Sequence, residues 1–297
     1  MNHPGIYDEI EILPVALLQQ QRQLVNELRK LADSLKLDFG WHYLLDLVWI
    51  IPRLGTVRGK RIIDAGAGTG VIQWYLAEKG AEVISVDRAS RANLPLRFRQ
   101  RFKVRGLRQS PIPDLNTPRQ TVKNGLSGSS GGLAIQAREI TRSLSPQRAT
   151  GAVVIYNQDL QNLADISDAS VDAVVSVSAL EHNSPENLPN VVKELGRVIK
   201  PGGALVATLG AARDLDWFHE PSSGWCYTEA SLRRIFDLPA SAPANFDRYD
   251  ELFQSLRNCT ELRDNLARFY FTSGNNGMPW GKWDPQYQPV GVCKVIR

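Results

Sequence analysis

The sequence predicts an α/β fold: a doubly wound, mostly parallel sheet with helices on both faces. Three observations carry this. Short Val/Ile-rich runs alternate with stretches of helical apolar spacing between Arg61 and Leu209, the pattern of strands joined by crossover helices. Ile62-Ile63-Asp64 runs straight into Ala65-Gly66-Ala67-Gly68-Thr69-Gly70 and then into the helical stretch Val71 to Lys79. A second strand, Glu82 to Asp87, ends in an acid 21 residues after Gly66.

The strand, glycine turn and helix form one unit. Glycines at 66, 68 and 70 reach dihedrals closed to other residues, and they let a ligand lie on the backbone beside the positive end of the next helix. An acid at the tip of the second strand is where a doubly wound fold grips a nucleoside ribose, which makes Asp87 a candidate ligand residue.

Taken in order, Pro14 to Leu37 has apolar residues at helical spacing, and Phe39 to Leu54 is a second, aromatic-rich helical stretch read as a packed face. Residues 1–56 therefore read as a helical extension, and 57–297 as the main domain. After Asp87 the alternation stops for about sixty residues. This 88–150 insertion holds a basic stretch broken at Pro95, a proline-rich Ser110 to Pro118, a linker-like Asn124 to Gly132 and a short helix at Leu133 to Leu144. Strands resume at Ala152 to Ile155, Val171 to Ser178 and Ala204 to Leu209, with a helix at Leu188 to Val198. Glu229 to Phe236 and Glu251 to Leu256 read as helices, and Leu266 to Thr272 and Pro289 to Ile296 as two closing strands.

Composition narrows the function classes. At 297 residues the chain can bury a substantial core, and no apolar run approaches the length of a membrane span. The first residues lack the basic and apolar regions of a secretory signal, which points to a cytoplasmic location. Three widely separated cysteines and four scattered histidines make neither a disulfide framework nor a metal signature. The net charge of +4 hides an asymmetry: residues 88–150 carry thirteen Lys/Arg against Asp114 and Glu139, so the segment is +11 and the rest −7. That imbalance points to an anionic partner, or to a solvated loop with none.

Further motifs give the pattern a family. With Asp64 to Gly70 and Val83 to Asp87 stand Gln158-Asp159-Leu160, Ser178-Ala-Leu-Glu-His182 and Ile199-Lys-Pro-Gly-Gly203. Five such motifs in this order resemble the class I S-adenosylmethionine-dependent methyltransferases, in particular the large type 11-like group with a Leu-Glu-His step after the fourth strand. The match covers about half of the chain. It implies a Rossmann-like, seven-stranded sheet whose last strand is antiparallel, and S-adenosylmethionine as cofactor. It also implies cofactor-binding roles: Asp87 at the ribose, Asp159 and Leu160 at the adenine, Gly66, Gly68 and Gly70 beside the methionine portion, Asp64 ordering that loop or contacting the amino end, and Ser178 flanking the same group, with Ala65, Ala67 and Arg88 also at the cofactor.

Methyl transfer is an in-line displacement needing alignment and exclusion of water rather than a covalent residue. For a hydroxyl acceptor, His182 is the candidate base, with acceptor positioning or a satisfied hydrogen bond as alternatives. The acceptor pocket is expected around Trp217, His219, Trp225 and Tyr227, and a small molecule or glycan, possibly anionic, is the expected acceptor. The chain also looks somewhat like bacterial methyltransferases of sugar and envelope assembly, through Trp41 to Asp46 and Trp225 to Thr228. A nucleic-acid methyltransferase or binding protein using the basic segment is the alternative, though no Asn/Asp-Pro-Pro-Tyr step follows the fourth strand. A nicotinamide dehydrogenase fits less well, because the turn is Gly-x-Gly-x-Gly. Peripheral membrane contact stays open.

Overall fold

The computed structural model describes residues 7–126, 149–273 and 278–297. Among the described residues ten strands form one sheet: β1 (Glu9–Ile12), β2 (Arg61–Ala65), β3 (Glu82–Asp87), β4 (Lys103–Gly106), β5 (Ala152–Asn157), β6 (Val171–Val177), β7 (Ile199–Ala211), β8 (Trp217–His219), β9 (Gly224–Tyr227) and β10 (Gln288–Val295). The order across the sheet is β1-β10-β7-β6-β2-β3-β5-β4, with β9 extending beside β7 and β8 folding back on β9. From β7 to β4 all neighbours are parallel; β10 is antiparallel to β7 and to β1.

The sheet is mostly parallel and α/β as the sequence predicts, with ten strands where the resemblance implied seven. Leu266 to Thr272 is not a strand. It forms turns that lead into the Tyr270–Ser273 helix. The place beside β10 is taken by β1, whose Glu9 to Ile12 pair with Cys293 to Val290. The aromatic run Phe269-Tyr270-Phe271 has no apolar–polar alternation to compete for it. β4 follows the Leu96–Arg101 helix, itself set off by Pro95. Its Lys103-Val-Arg-Gly sequence is that of a charged edge strand, which protects an open sheet edge from further pairing.

The Pro118–Leu126 helix was also not anticipated, although its signal is present. Thr117 Oγ1 accepts from Gln120 N–H and Gln120 Oε1 accepts from Thr117 N–H, a reciprocal capping box ahead of a proline at the first helical position. The expected linker at Asn124 to Gly132 is helical as far as Leu126; its remainder and the expected helix at Leu133 to Leu144 lie outside the described residues.

Alternate residues of each central strand feed two core layers. Ile62, Val83, Val153 and Val175 pack with Leu28, Leu45, Trp49 and Trp74 under the N-terminal helices Arg22–Leu35 and Tyr43–Arg53. Ile63, Ile84, Val154 and Val174 pack with Leu188, Val191 and Leu195 of the Leu188–Val198 helix on the opposite face. The N-terminal helices are thus part of the layered core. Trp49 lies across Gly291 of β10, where a Cβ would come within 2.5 Å of the ring. Its indole N–H donates to Glu11 of β1 at 2.7 Å, and the Arg53 guanidinium stacks 3.7 Å above the ring while pairing with Glu9. Strand β1 and the Tyr43–Arg53 helix are locked together by these contacts.

Candidate functional site

The carboxyl ends of β2, β3, β5 and β6 open into a cavity of about 830 Å³. This is the edge at which parallel sheets bind ligands. One wall is the glycine turn. Gly66 has φ +75° and Gly68 φ +45°, and a Cβ on Gly66 would sit 2.4 Å from the Cβ of Ala179, so the turn backs directly onto the loop after β6. The turn is held from beneath. Gly66 and Ala67 N–H both donate to the Val86 carbonyl, at 3.0 and 2.9 Å. The buried Gln73 amide donates to the carbonyls of Ala67 and Gly70 and accepts from Ser85 Oγ. Arg91, 7% exposed, reaches the carbonyls of Gly68, Ser85 and Tyr156. Gln73 and Arg91 are the residues that sequence reading missed here; a Gln on an otherwise apolar helix was the available signal for the first.

The acids divide by environment. Asp64, 1% exposed, lines the cavity, and its Oδ2 has no hydrogen-bond partner. Burial pushes its carboxyl up to about 7, with the nearby Arg91 cation opposing and the Asp87 charge adding to the rise. Asp87 accepts from Gly68 N–H and from Ala89 N–H, both at 2.7 Å, one on each oxygen. Each oxygen keeps a second acceptor position, since an ionised carboxylate accepts at about four sites. Asp159 lines the cavity beside Leu160 and also caps its own turn, accepting from Gln161 N–H at 2.9 Å. Arg88 lines the cavity with its side chain exposed. Ala65 does not line it; fully buried, it pairs with Val86 behind the turn. Asp172, at the far end of β6, accepts from Arg61 N–H and Lys200, as a structural residue should.

Ser178 stands at the tip of β6 with φ +45°, lines the cavity, and donates its hydroxyl to the Glu181 carboxylate. Glu181 is buried, which raises its pKa, while the neighbouring His182 and the Ser178 hydroxyl pull it down. His182 is exposed and lines the cavity. Its Nδ1 lies 2.9 Å from the Ser223 carbonyl oxygen, which only accepts, so Nδ1 carries the proton and Nε2 of the neutral ring is the free basic nitrogen.

The far wall differs from expectation. Trp217, His219, Trp225 and Tyr227 lie on the β8–β9 hairpin, and none of the four lines the cavity. Tyr227 is fully buried, and His219 is held between Ser222 Oγ and Gln286 with burial lowering its pKa. The hairpin contributes its turn instead, Ser222 and Ser223. The rest of that wall comes from Leu37 and Phe39 of the loop between the two N-terminal helices, from Tyr43 and Leu47 of the Tyr43–Arg53 helix, and from Phe269. The helical periodicity of 39–54 places Trp49 and Leu45 in the core and leaves Tyr43 and Leu47 on the cavity.

The positive charge of the 88–108 stretch is largely spent internally. Arg91 and Arg99 bind backbone carbonyls, Arg101 pairs with Glu78, Arg105 with Glu82, and Arg108 with Asp114. Asp114 is held below the usual carboxylate range: burial raises it, and the Arg108 guanidinium with the N–H groups of Asn157 and Arg108 outweighs that. Among the described residues no cluster of His, Cys, Asp and Glu is arranged to hold a metal, and no helix is long and apolar enough to cross a membrane.

Residues 130–207 match the family described as a methyltransferase domain. A ubiquinone biosynthesis O-methyltransferase of Paracidovorax citrulli is 26% identical over 180 residues, 61% of this chain and 52% of the relative. A tRNA U34 carboxymethyltransferase of Psychrobacter arcticus is 33% identical over 57 residues, 18% of this chain and 16% of the relative. The chain thus spans about half the length of the first and less of the second. Among solved structures, the Burkholderia thailandensis 1,6-didemethyltoxoflavin-N1-methyltransferase with bound S-adenosylhomocysteine aligns at 13% identity and TM-score 0.45, over 94% of this chain and 88% of that one. Over residues 130–207 the chain is thus similar to methyltransferase domains.

Proposed function

We propose that the protein transfers a methyl group from S-adenosylmethionine to a hydroxyl of a small-molecule or glycan acceptor. The observation that carries this reading is one cavity in which the glycine turn, Asp87 and Asp159 share space with His182. The residues suit the cofactor: Gly66 has room only for backbone, a Cβ there meeting Ala179 at 2.4 Å, and the unpartnered, buried Asp64 oxygen suits an ammonium group. The O-methyltransferase relative supports an oxygen acceptor.

When bound, the sulfonium supplies an electrophilic methyl group. Asp87 holds the ribose hydroxyls on its remaining acceptor positions, with Arg88 alongside. Asp159 and Leu160 take the adenine end. Asp64 and Ser178 hold the amino-acid end against the turn from Gly66 to Gly70. The acceptor lies between Phe39, Tyr43 and Phe269 on one side and the Ser222–Ser223 turn on the other. His182, its ring fixed by the Nδ1–H···O bond to Ser223, accepts the acceptor's proton at Nε2. We read residues 1–56 as an extension of the 57–297 domain that completes the acceptor wall.

The test is calorimetry and thermal shift with S-adenosylhomocysteine and with NAD. S-adenosylhomocysteine raises the melting temperature and NAD does not; a response to NAD alone overturns the reading. Asp87→Ala weakens S-adenosylhomocysteine binding by at least about tenfold, the loss of charge-assisted hydrogen bonds at one carboxylate; unchanged affinity means that the ribose lies elsewhere.

A further inference from the structure

Phe269 lines the cavity and is also 37% exposed on the outside. Beside it in the chain, Phe271 is 58% exposed, and Trp280 is 71% exposed. The Tyr270–Ser273 and Pro279–Gly281 turns pack on each other, with the Phe271 ring 2.4 Å from where a Cβ on Gly281 would stand. Phe271 therefore packs on the short turn that carries the exposed Trp280, two residues along the chain from the cavity-lining Phe269. Large exposed rings grouped in this way mark an interaction surface, unlike single exposed apolar residues.

The charge around them identifies the partner. Between Asp264 and Asp284 the sequence contains no acid, and it contains Arg268 and Lys282. Both cations are exposed and make no ion pair among the described residues. Aromatic rings interleaved with Arg and Lys suit the headgroup layer of a bilayer, where the rings sink to the acyl boundary and the cations meet anionic lipid. The other exposed apolar group, Leu215, Trp217 and Phe218, is interleaved with Asp214, Asp216 and Glu220, which disfavour an anionic surface.

We infer that the rim formed by Arg268, Phe271, Trp280 and Lys282 docks on an anionic lipid bilayer and brings the cavity mouth against it. An apolar acceptor then passes from the lipid into the cavity along Phe269 to the wall of Leu37, Phe39 and Leu47, without crossing water. The docking stands independently of the methyl-transfer reading; the delivery of an acceptor rests on it.

The test uses the full chain with vesicles of phosphatidylcholine alone and of phosphatidylcholine with an equal part of phosphatidylglycerol, read by co-sedimentation. The protein sediments with the anionic vesicles. The Phe271→Ser/Trp280→Ser variant binds them at least tenfold more weakly. Arg268→Glu/Lys282→Glu also loses roughly tenfold or more, the loss expected when two juxtamembrane cations are reversed. S-adenosylhomocysteine affinity, measured on each variant, stays at the parental value and shows that each is folded. No binding of the parent to anionic vesicles, or binding untouched by both variants, overturns the inference. So does a parental dimer that becomes monomeric in the Phe271→Ser/Trp280→Ser variant without any vesicle binding, which would make the patch a protein interface. Vesicle binding without any S-adenosylhomocysteine binding leaves the docking standing and removes the function proposed above.

Discussion

The two walls of the cavity are built in opposite ways. The wall at Asp64 to Gly70, Asp87 and Asp159 is made at the ends of neighbouring parallel strands, so its geometry follows from the sheet. The facing wall is assembled from pieces far apart in sequence: Phe39 and Tyr43, His182, Ser222 and Ser223, and Phe269. The first wall is backbone and carboxylates; the second is rings, hydroxyls and one imidazole. On the function proposed above, the first wall holds the donor and the second the acceptor, and such a division lets one donor site serve with many acceptors.

Substitutions separate the two walls. The largest effect is expected at Gly66→Val, which adds a side chain where φ is +75° and a Cβ meets Ala179 at 2.4 Å. Binding of S-adenosylhomocysteine should fall below detection by calorimetry, at least about a hundredfold, because the strained turn moves. His182→Ala should lower kcat by about 10²-fold or more, the usual contribution of a positioned base, while cofactor affinity stays near the parental value. Full activity removes His182 as the base; equal loss of both quantities means that the two walls are not independent.

A pH dependence of cofactor binding should belong to the wall that carries Asp64. Burial raises the Asp64 pKa to about 7, so the empty site holds a proton below that pH and is ionised above it. An ammonium partner requires the ionised form. Affinity for S-adenosylhomocysteine should therefore rise about tenfold from pH 6 to pH 8, as the ionised fraction grows around a pKa near 7. Asp64→Asn should flatten this profile. In the free protein the sign is opposite: raised proton affinity in the fold stabilises it at low pH, and that contribution is lost as pH climbs from about 4 to 7. The smallest effect is expected at Phe39→Ala, a several-fold rise in the acceptor KM with cofactor affinity unchanged.

The donor wall was legible because its signals are local. A strand, three spaced glycines and an acid at a fixed distance occupy fewer than thirty residues, and the structure puts Asp64, Gly66, Gly68, Asp87 and Asp159 on one cavity. What held the turn was less visible: Gln73 and Arg91 work through carbonyls of residues distant from them. The facing wall could not be read, because Phe39 and Tyr43 look like any packed aromatics until the Tyr43–Arg53 helix and the loop before it are docked. The hairpin residues Trp217 and Trp225 were the natural guess for a pocket near His182, and only the turn between them reaches it. The strand at Glu9 to Ile12 went unseen because four residues give no period to count. It displaced the expected one at Leu266 to Thr272.

That same strand has a consequence for how the protein is made. Residues 9 to 12 find their partners at 290 to 293, nearly the whole chain away, and the helix bearing Tyr43 is tied to them through Trp49, Glu11 and Arg53. Contacts of such long sequence separation are slow to form. During synthesis the donor site has all its strands once residue 177 has emerged, whereas the acceptor wall waits for the last strand. A nascent chain should thus acquire affinity for its cofactor well before it acquires a closed chamber in which to react.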